Sequence, residues 1–383
     1  MLFELIRVAI GTQDNLSQLP SRAEWGELYK QAMKQSLVGV CFAGLQRLGA
    51  DADGGFSRIG IDEMLYLTWM GMAAKIQQKN ESVNQQCVDL QSRLSADGER
   101  FCILKGQGAG LRYPSSLSLL RQSGDIDVWM AGGMEHVVSY VNSIMPTNEV
   151  TASHVQLHVF DKTEVEMHYV PVKLSNRLTN KRLKTWLREQ ENRQMSHTVP
   201  FGDGVMHVPT LEFDVVYQLL HIYKHLFNEG IGLRQLMDYY FLMQRVKASD
   251  GLNDVEMQMV NDVVASLGLE KFASAVMWVL QKVFALGMIG MPWVPNQRDG
   301  EFLLDEIMNM GNFGHADERF RMNKDDSHLK HFWQSSQSKW RFIGHFPSEV
   351  LWQPIDMFLR FFEQKALRKK ALRIQGLIQN SFD

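Results

Sequence analysis

Residues Leu104–Met130 read LKGQGAGLRYPSSLSLLRQSGDIDVWM, and this stretch decides the fold. An apolar run, Phe101-Cys102-Ile103-Leu104, is short and suited to a buried strand. It leads into a Lys105-Gly106 turn. Gly124-Asp125-Ile126-Asp127 then opens a second run, in which Ile126 and Val128 alternate with Asp125 and Asp127 as a half-buried strand requires. A period-two strand points both carboxylates to one face, about 6–7 Å apart. Acids so placed can share one Mg²⁺ or hold two, leaving positions for phosphate oxygens and water. Gly124 lets the chain approach a ligand closely. The competing reading is a strand end whose acids face solvent.

Further along, Gly132-Gly133 leads into a helix near 133–144. His154–Phe160 and Glu164–Val170 are alternating runs joined by Asp161-Lys162-Thr163, a hairpin pattern. Alternation sets Glu164, Glu166 and His168 on one face, opposite Val165 and Met167. If this strand pairs beside the Asp strand, Glu166 completes a carboxylate triad, as metal ligand or as general base. His168 then projects to the same face about 6–7 Å further along, on the acceptor side. Otherwise these residues form the solvated face of a hairpin. The Gly-rich turn at Lys105-Gly106-Gln107 opens a helix and offers backbone N–H groups to phosphate. It is not a Walker motif. Arg112 and Arg121 are candidates for neutralising a triphosphate, or else surface residues.

The flanks read as helical. Asp62 is placed to cap a helix running to about Ala96, ended by Gly98, and a loop is expected near 51–55. Beyond Thr210, a candidate N-cap, helices are expected near 233–246, 254–266, 269–286, 301–311 and 350–378. These patterns give an α+β protein in three parts: a helical region at 1–95, a mixed-sheet core at 96–205 and a helical domain at 206–383. His221 and His225 are four apart on a helix, but no Glu follows His221, so the zinc-protease pattern is missing and a packed histidine face is expected. Arg234 and Asp238 fit an i,i+4 pair. Arg360, Lys365, Arg368, Lys369, Lys370 and Arg373 lie among Phe358, Phe361, Phe362, Leu367 and Leu372. That is an amphipathic C-terminal helix, packed on the helical domain or turned to a partner.

The ordered set Leu104-Lys105-Gly106, Arg121, Gly124-Asp125-Ile126-Asp127 and Val165-Glu166-Met167-His168 resembles the uncharacterised bacterial nucleotidyltransferase family. That family belongs to the DNA polymerase-beta-like superfamily. His221-Ile-Tyr-Lys-His225 and Leu233–Asp238 are also similar to it, so the resemblance spans roughly residues 60–245. It implies a small mixed sheet with flanking helices, Mg²⁺ held by Asp125, Asp127 and Glu166, and an NTP, such as ATP, attacked at its α-phosphate. Lys105, Gly106, Gln107, Arg121 and Gly124 match nucleotide-binding positions. Gln107 stands where the family's turn usually has Ser, and Gly106 precedes Asp125 by more residues than usual.

Composition bounds the rest. The 383 residues carry 40 Lys and Arg against 43 Asp and Glu, so no global charge draws the chain to nucleic acid or membrane. Three scattered cysteines fit a reducing cytoplasm. The N-terminal stretch lacks a signal-peptide pattern, and no run is long enough to span a bilayer. The leading expectation is a Mg²⁺-dependent nucleotidyltransferase acting on an unknown hydroxyl of a small molecule, sugar, protein or RNA. A phosphohydrolase with Asp125 as nucleophile fits less well, because Arg121-Gln122-Ser123-Gly124 precedes the pair instead of a long apolar strand. A degenerate transferase fold serving as a binding or regulatory module is the alternative from another class.

Overall fold

A computed structural model describes residues 1–49, 53–312 and 339–359. Asp51 and Ala52 of the expected loop lie outside these residues, as does the basic run from Arg360 onward. Three helices open the chain: α1 (Leu2–Ile10), α2 (Arg22–Lys34) and α3 (Val38–Arg47). After a single turn, α4 (Gly55–Arg58), comes α5 (Glu63–Ala96), whose 34 residues reach about 51 Å. The Asp62 side chain accepts from the Leu65 N–H at its start, and left-handed Gly98 (φ +75°) follows its end.

The sheet follows. Strand β1 (Phe101–Ile103) leads through short helices α6 (Gln107–Gly110) and α7 (Ser115–Ser118) to β2 (Ile126–Met130). Helix α8 (Gly133–Ile144) then crosses to β3 (His154–Leu157) and β4 (Val165–His168). The four strands lie in the order β1-β2-β4-β3, with β2 and β4 parallel and the outer pairs antiparallel. It is a mixed sheet in a mostly helical chain, an α+β protein as the patterning predicts. Strands β3 and β4 are shorter than the alternating runs suggest.

Period two gives each face its own partner. Ile103, Ile126, Val128, Val155, Val165 and Met167 face a core closed by α8 and the C-terminal half of α5. Cys102, Leu104 and Trp129 face the larger, helical core. On that second face Trp129 stacks on Phe213, with ring centroids 5.6 Å apart.

Helix α9 (Arg177–Ser196) and the hairpin β5 (Thr198–Phe201)–β6 (Gly204–His207) fill a span for which the pattern suggested no element. Then come α10 (Leu211–Asn228), α11 (Leu233–Val246), α12 (Asp254–Ser266), α13 (Glu270–Phe284) and α14 (Gln297–Met310), with residues 347–359 also helical. Thr210 sits at the N-cap of α10, but its side chain makes no capping bond. The N-terminal helices pack on these later ones. Buried Gln35 donates to the Ile307 carbonyl at 3.2 Å and accepts from the Leu233 N–H at 2.9 Å. No single described helix is long and apolar enough to cross a membrane.

Candidate functional site

The second sheet face carries the acids. In the parallel pair, Asp127 lies opposite Glu166 and Ile126 opposite Val165. Registered neighbours on adjacent strands lie about 4.8 Å apart, so the two carboxylates are forced together. Carboxylate oxygens of Asp125, Asp127 and Glu166 all fall within 4.8 Å of one another. Asp127 is fully buried; the other two line a cavity of about 490 Å³.

The Gly turn reaches the same place. The Leu104 N–H donates to the Asp127 carbonyl at 2.9 Å, extending the β1 pairing by one residue. Lys105 then directs its ammonium to Asp127 Oδ2 at 3.1 Å and to Asp125 Oδ2 at 3.9 Å. Gly106 has φ +68°, and a Cβ there would lie 3.3 Å from the Asp125 carbonyl oxygen. Only glycine takes that backbone shape without strain, and it lets the turn approach the Asp strand.

Charges in this cluster set one another's protonation. Burial works against the Lys105 charge, but Asp127, Asp125 and Glu166 outweigh it and hold the ammonium well above its ordinary value. Burial would raise Asp127; Lys105 and His168 override that and keep its carboxyl low. Glu166 is likewise held down to about 2, against burial, by His168, His154 and Lys105. Both acids are therefore ionised at neutral pH. His168 is buried, yet its Nε2 lies 2.9 Å from Asp127 Oδ1 and 3.1 Å from Glu166 Oε2, and these contacts raise its pKa. Strand spacing alone would carry His168 away from the acids. Its ring folds back over them because the imidazole reaches across one pleat. His154, on β3, is pushed down to about 4, chiefly by burial.

Other expected residues divide. Gly124 and Arg121 line the cavity. Arg121 donates from Nε and Nη2 to the two oxygens of Asp238 at 2.7 and 2.8 Å, and the Tyr113 hydroxyl donates to Asp238 at 2.6 Å. Arg234, the expected i,i+4 partner of Asp238, donates from Nη1 to the Gln122 carbonyl at 2.7 Å. Asp238 is thus gripped by a bidentate guanidinium from another segment and also acts electrostatically on Arg234. Gln107 turns away from the acids: its amide donates to Asn84 on α5 and lines a separate pocket of about 240 Å³. The helix opened by Gly106 has only four residues, so it brings little dipole to a phosphate. Arg112 is spent on buried Asp214 at 2.6 Å, and it is not among the residues lining the cavity.

Several residues of the cavity escaped the sequence reading. Lys79 of α5 donates to the Ser123 carbonyl at 3.3 Å, helping Arg234 pin the loop before Asp125. A wall from α10 presents Tyr217, Gln218 and Lys224 along with His221 and His225. The two histidine rings lie 4.1 Å apart, and His225 Nδ1 meets Glu229 at 2.7 Å. This is the packed histidine face that the missing Glu suggested. The helical spacing of Tyr217, His221, Lys224 and His225 was the one available signal for this wall, but it did not reveal what the wall would face.

The donor set suits a hard divalent cation. All three acids offer oxygen. Asp127 Oδ2 is buried and receives no well-aligned hydrogen bond, although the Lys105 ammonium is close. Lys105 and His168 meet Asp127, His168 and His154 meet Glu166, and Arg121 and Arg234 act on Asp125 from further off.

Among known families, the model described as an uncharacterised nucleotidyltransferase matches residues 21–285, well over half of the chain. No curated protein matches it.

Proposed function

The chain belongs to the uncharacterised nucleotidyltransferase family, and on that footing we propose that it is a Mg²⁺-dependent enzyme moving NMP from an NTP to a hydroxyl acceptor. One observation carries the proposal: the convergence of Asp125, Asp127 and Glu166 beside the Gly106 turn, at the edge of a cavity large enough for a nucleotide. Asp125, Asp127 and Glu166 would hold Mg²⁺, which when bound offsets phosphate charge and lowers the pKa of an acceptor hydroxyl. Gly106 lets the triphosphate approach the backbone. Lys105, already beside the Asp pair, neutralises added phosphate charge, and Arg121 stands on the cavity wall held rigid by Asp238. In the transfer, the acceptor hydroxyl gives up its proton to solvent as its oxygen bonds to the α-phosphorus. The α–β bridging bond breaks with its electron pair leaving on pyrophosphate. The low pKa of Glu166 suits a permanently ionised ligand better than a general base. The α10 wall is where we assign the acceptor.

A second reading, a non-catalytic binding or regulatory module, draws on the Lys105 ammonium resting on the Asp pair and on Gln107 facing away. Calorimetric titration of Mg²⁺ and ATP or GTP into wild type and Asp127→Asn separates the two. The enzyme reading expects metal-dependent NTP binding that the variant loses, with turnover down at least about a hundredfold and the fold intact. Equal metal and NTP affinities in both proteins would favour the module.

A further inference from the structure

The same cavity holds a second group of ligand atoms with different chemistry. On the antiparallel β3–β4 pair, His154 lies opposite His168, two residues from Glu166 along β4. His154 Nδ1 is 3.6 Å from Glu166 Oε2, and His168 Nε2 is 3.1 Å from the same oxygen. One ligand atom from each residue falls within 4.8 Å of the others. Around a first-row ion with bonds of about 2.0–2.2 Å, neighbouring ligand atoms lie roughly 3.0–3.5 Å apart. The spacing therefore needs only small side-chain adjustments. All three residues line the cavity, so an ion among them would keep a position open to the cavity. Two imidazole nitrogens and one carboxylate make a softer set than the three acids next door. Magnesium prefers oxygen donors, whereas imidazole favours zinc and its neighbours.

We propose that His154, Glu166 and His168 form a second metal site that takes a borderline transition ion such as Zn²⁺, with Glu166 bridging it to the acid cluster. The ion replaces the hydrogen bond that His168 Nε2 makes to Asp127. This site does not depend on the nucleotide reading.

Full-length protein in excess Mg²⁺ is titrated with Co²⁺, followed by visible d–d absorption and calorimetry, and the bound Co²⁺ is then competed with Zn²⁺. The account expects a single Co²⁺ to bind with the signature of nitrogen ligation and to be displaced by Zn²⁺. Affinity should fall at least about tenfold in His154→Ala and in the better-matched His154→Gln, and survive in Asp125→Asn. Circular dichroism checks each fold, and His154→Gln decides if the alanine variant unfolds. Absence of Co²⁺ binding, equal affinity in wild type and His154→Gln, or loss in Asp125→Asn equal to that in His154→Gln would overturn the site. Mg²⁺-dependent NTP binding should persist in His154→Gln and be lost in Asp125→Asn, so the two readings fail separately.

Discussion

Asp127 on β2 and Asp238 on α11 are both buried beside one cavity, yet their surroundings are opposite in character. Asp238 is matched: a guanidinium takes both its oxygens and a phenol adds a third bond. Asp127 is crowded by Asp125 and Glu166 and is opposed directly by Lys105 and His168. A buried carboxylate with a complete partner set serves the fold. One held ionised beside two other acids, with an oxygen left without a well-aligned donor, is a candidate for holding a cation.

The contrast can be broken most directly at Asp238. Asp238→Asn leaves Arg121 buried without its counter-charge and should cost about 3–5 kcal/mol in urea unfolding. Mg²⁺ affinity of the folded variant should stay near wild type. A comparable stability loss from Asp127→Asn would erase the distinction.

Glu166→Gln should lower turnover by about a hundredfold while NTP affinity changes much less, since the Asp pair still holds a cation and the third metal ligand acts mainly in the transition state. Steady-state kinetics beside calorimetry tests this, and equal losses in both would count against it. Gly106→Ala should cost about 1–3 kcal/mol from its positive φ and the close Asp125 carbonyl. Thermal unfolding that matches wild type would show that the turn is not constrained.

The smallest effect concerns the α10 wall. Burial first, then His225, Lys105, Lys224 and Arg234, push His221 well below its ordinary 6.5. An unfolded chain therefore takes up a proton there before the folded one. That contribution to stability is whole above 6.5 and is lost as pH falls below it. His168 is shifted the other way, so its contribution is present below 6.5 and lost as pH rises through its folded value. Comparing His221→Gln with wild type isolates the first term. The variant's urea midpoint should fall less than wild type's between about pH 7 and about pH 5; parallel declines would refute it.

Local signals made the sheet side of this site readable. Alternation at 125–128 and 164–168 fixes which side chains share a face, and the parallel register then brings Asp127 to Glu166. The helical side was not readable in the same way. Helical spacing names Tyr217, His221 and His225 as one stripe, but only tertiary packing says that the stripe faces the acids. The same holds for Asp238, which beside its sequence neighbour Arg234 is gripped by Arg121 from more than a hundred residues away. Helix α9 escaped because few of its residues are buried, chiefly Leu183, Leu187 and Met195, so its apolar stripe is thin. Pro200 masked the strand character of β5.

The central claim is that Asp125, Asp127 and Glu166 hold a catalytic cation. A crystal structure of the protein with Mg²⁺ and a non-hydrolysable NTP tests it most directly. The account predicts an ion about 2.1 Å from oxygens of all three acids, with the Lys105 ammonium moved from the Asp pair toward the phosphates. Well-ordered NTP with no ion at the triad, and Lys105 still resting on Asp127, would contradict it.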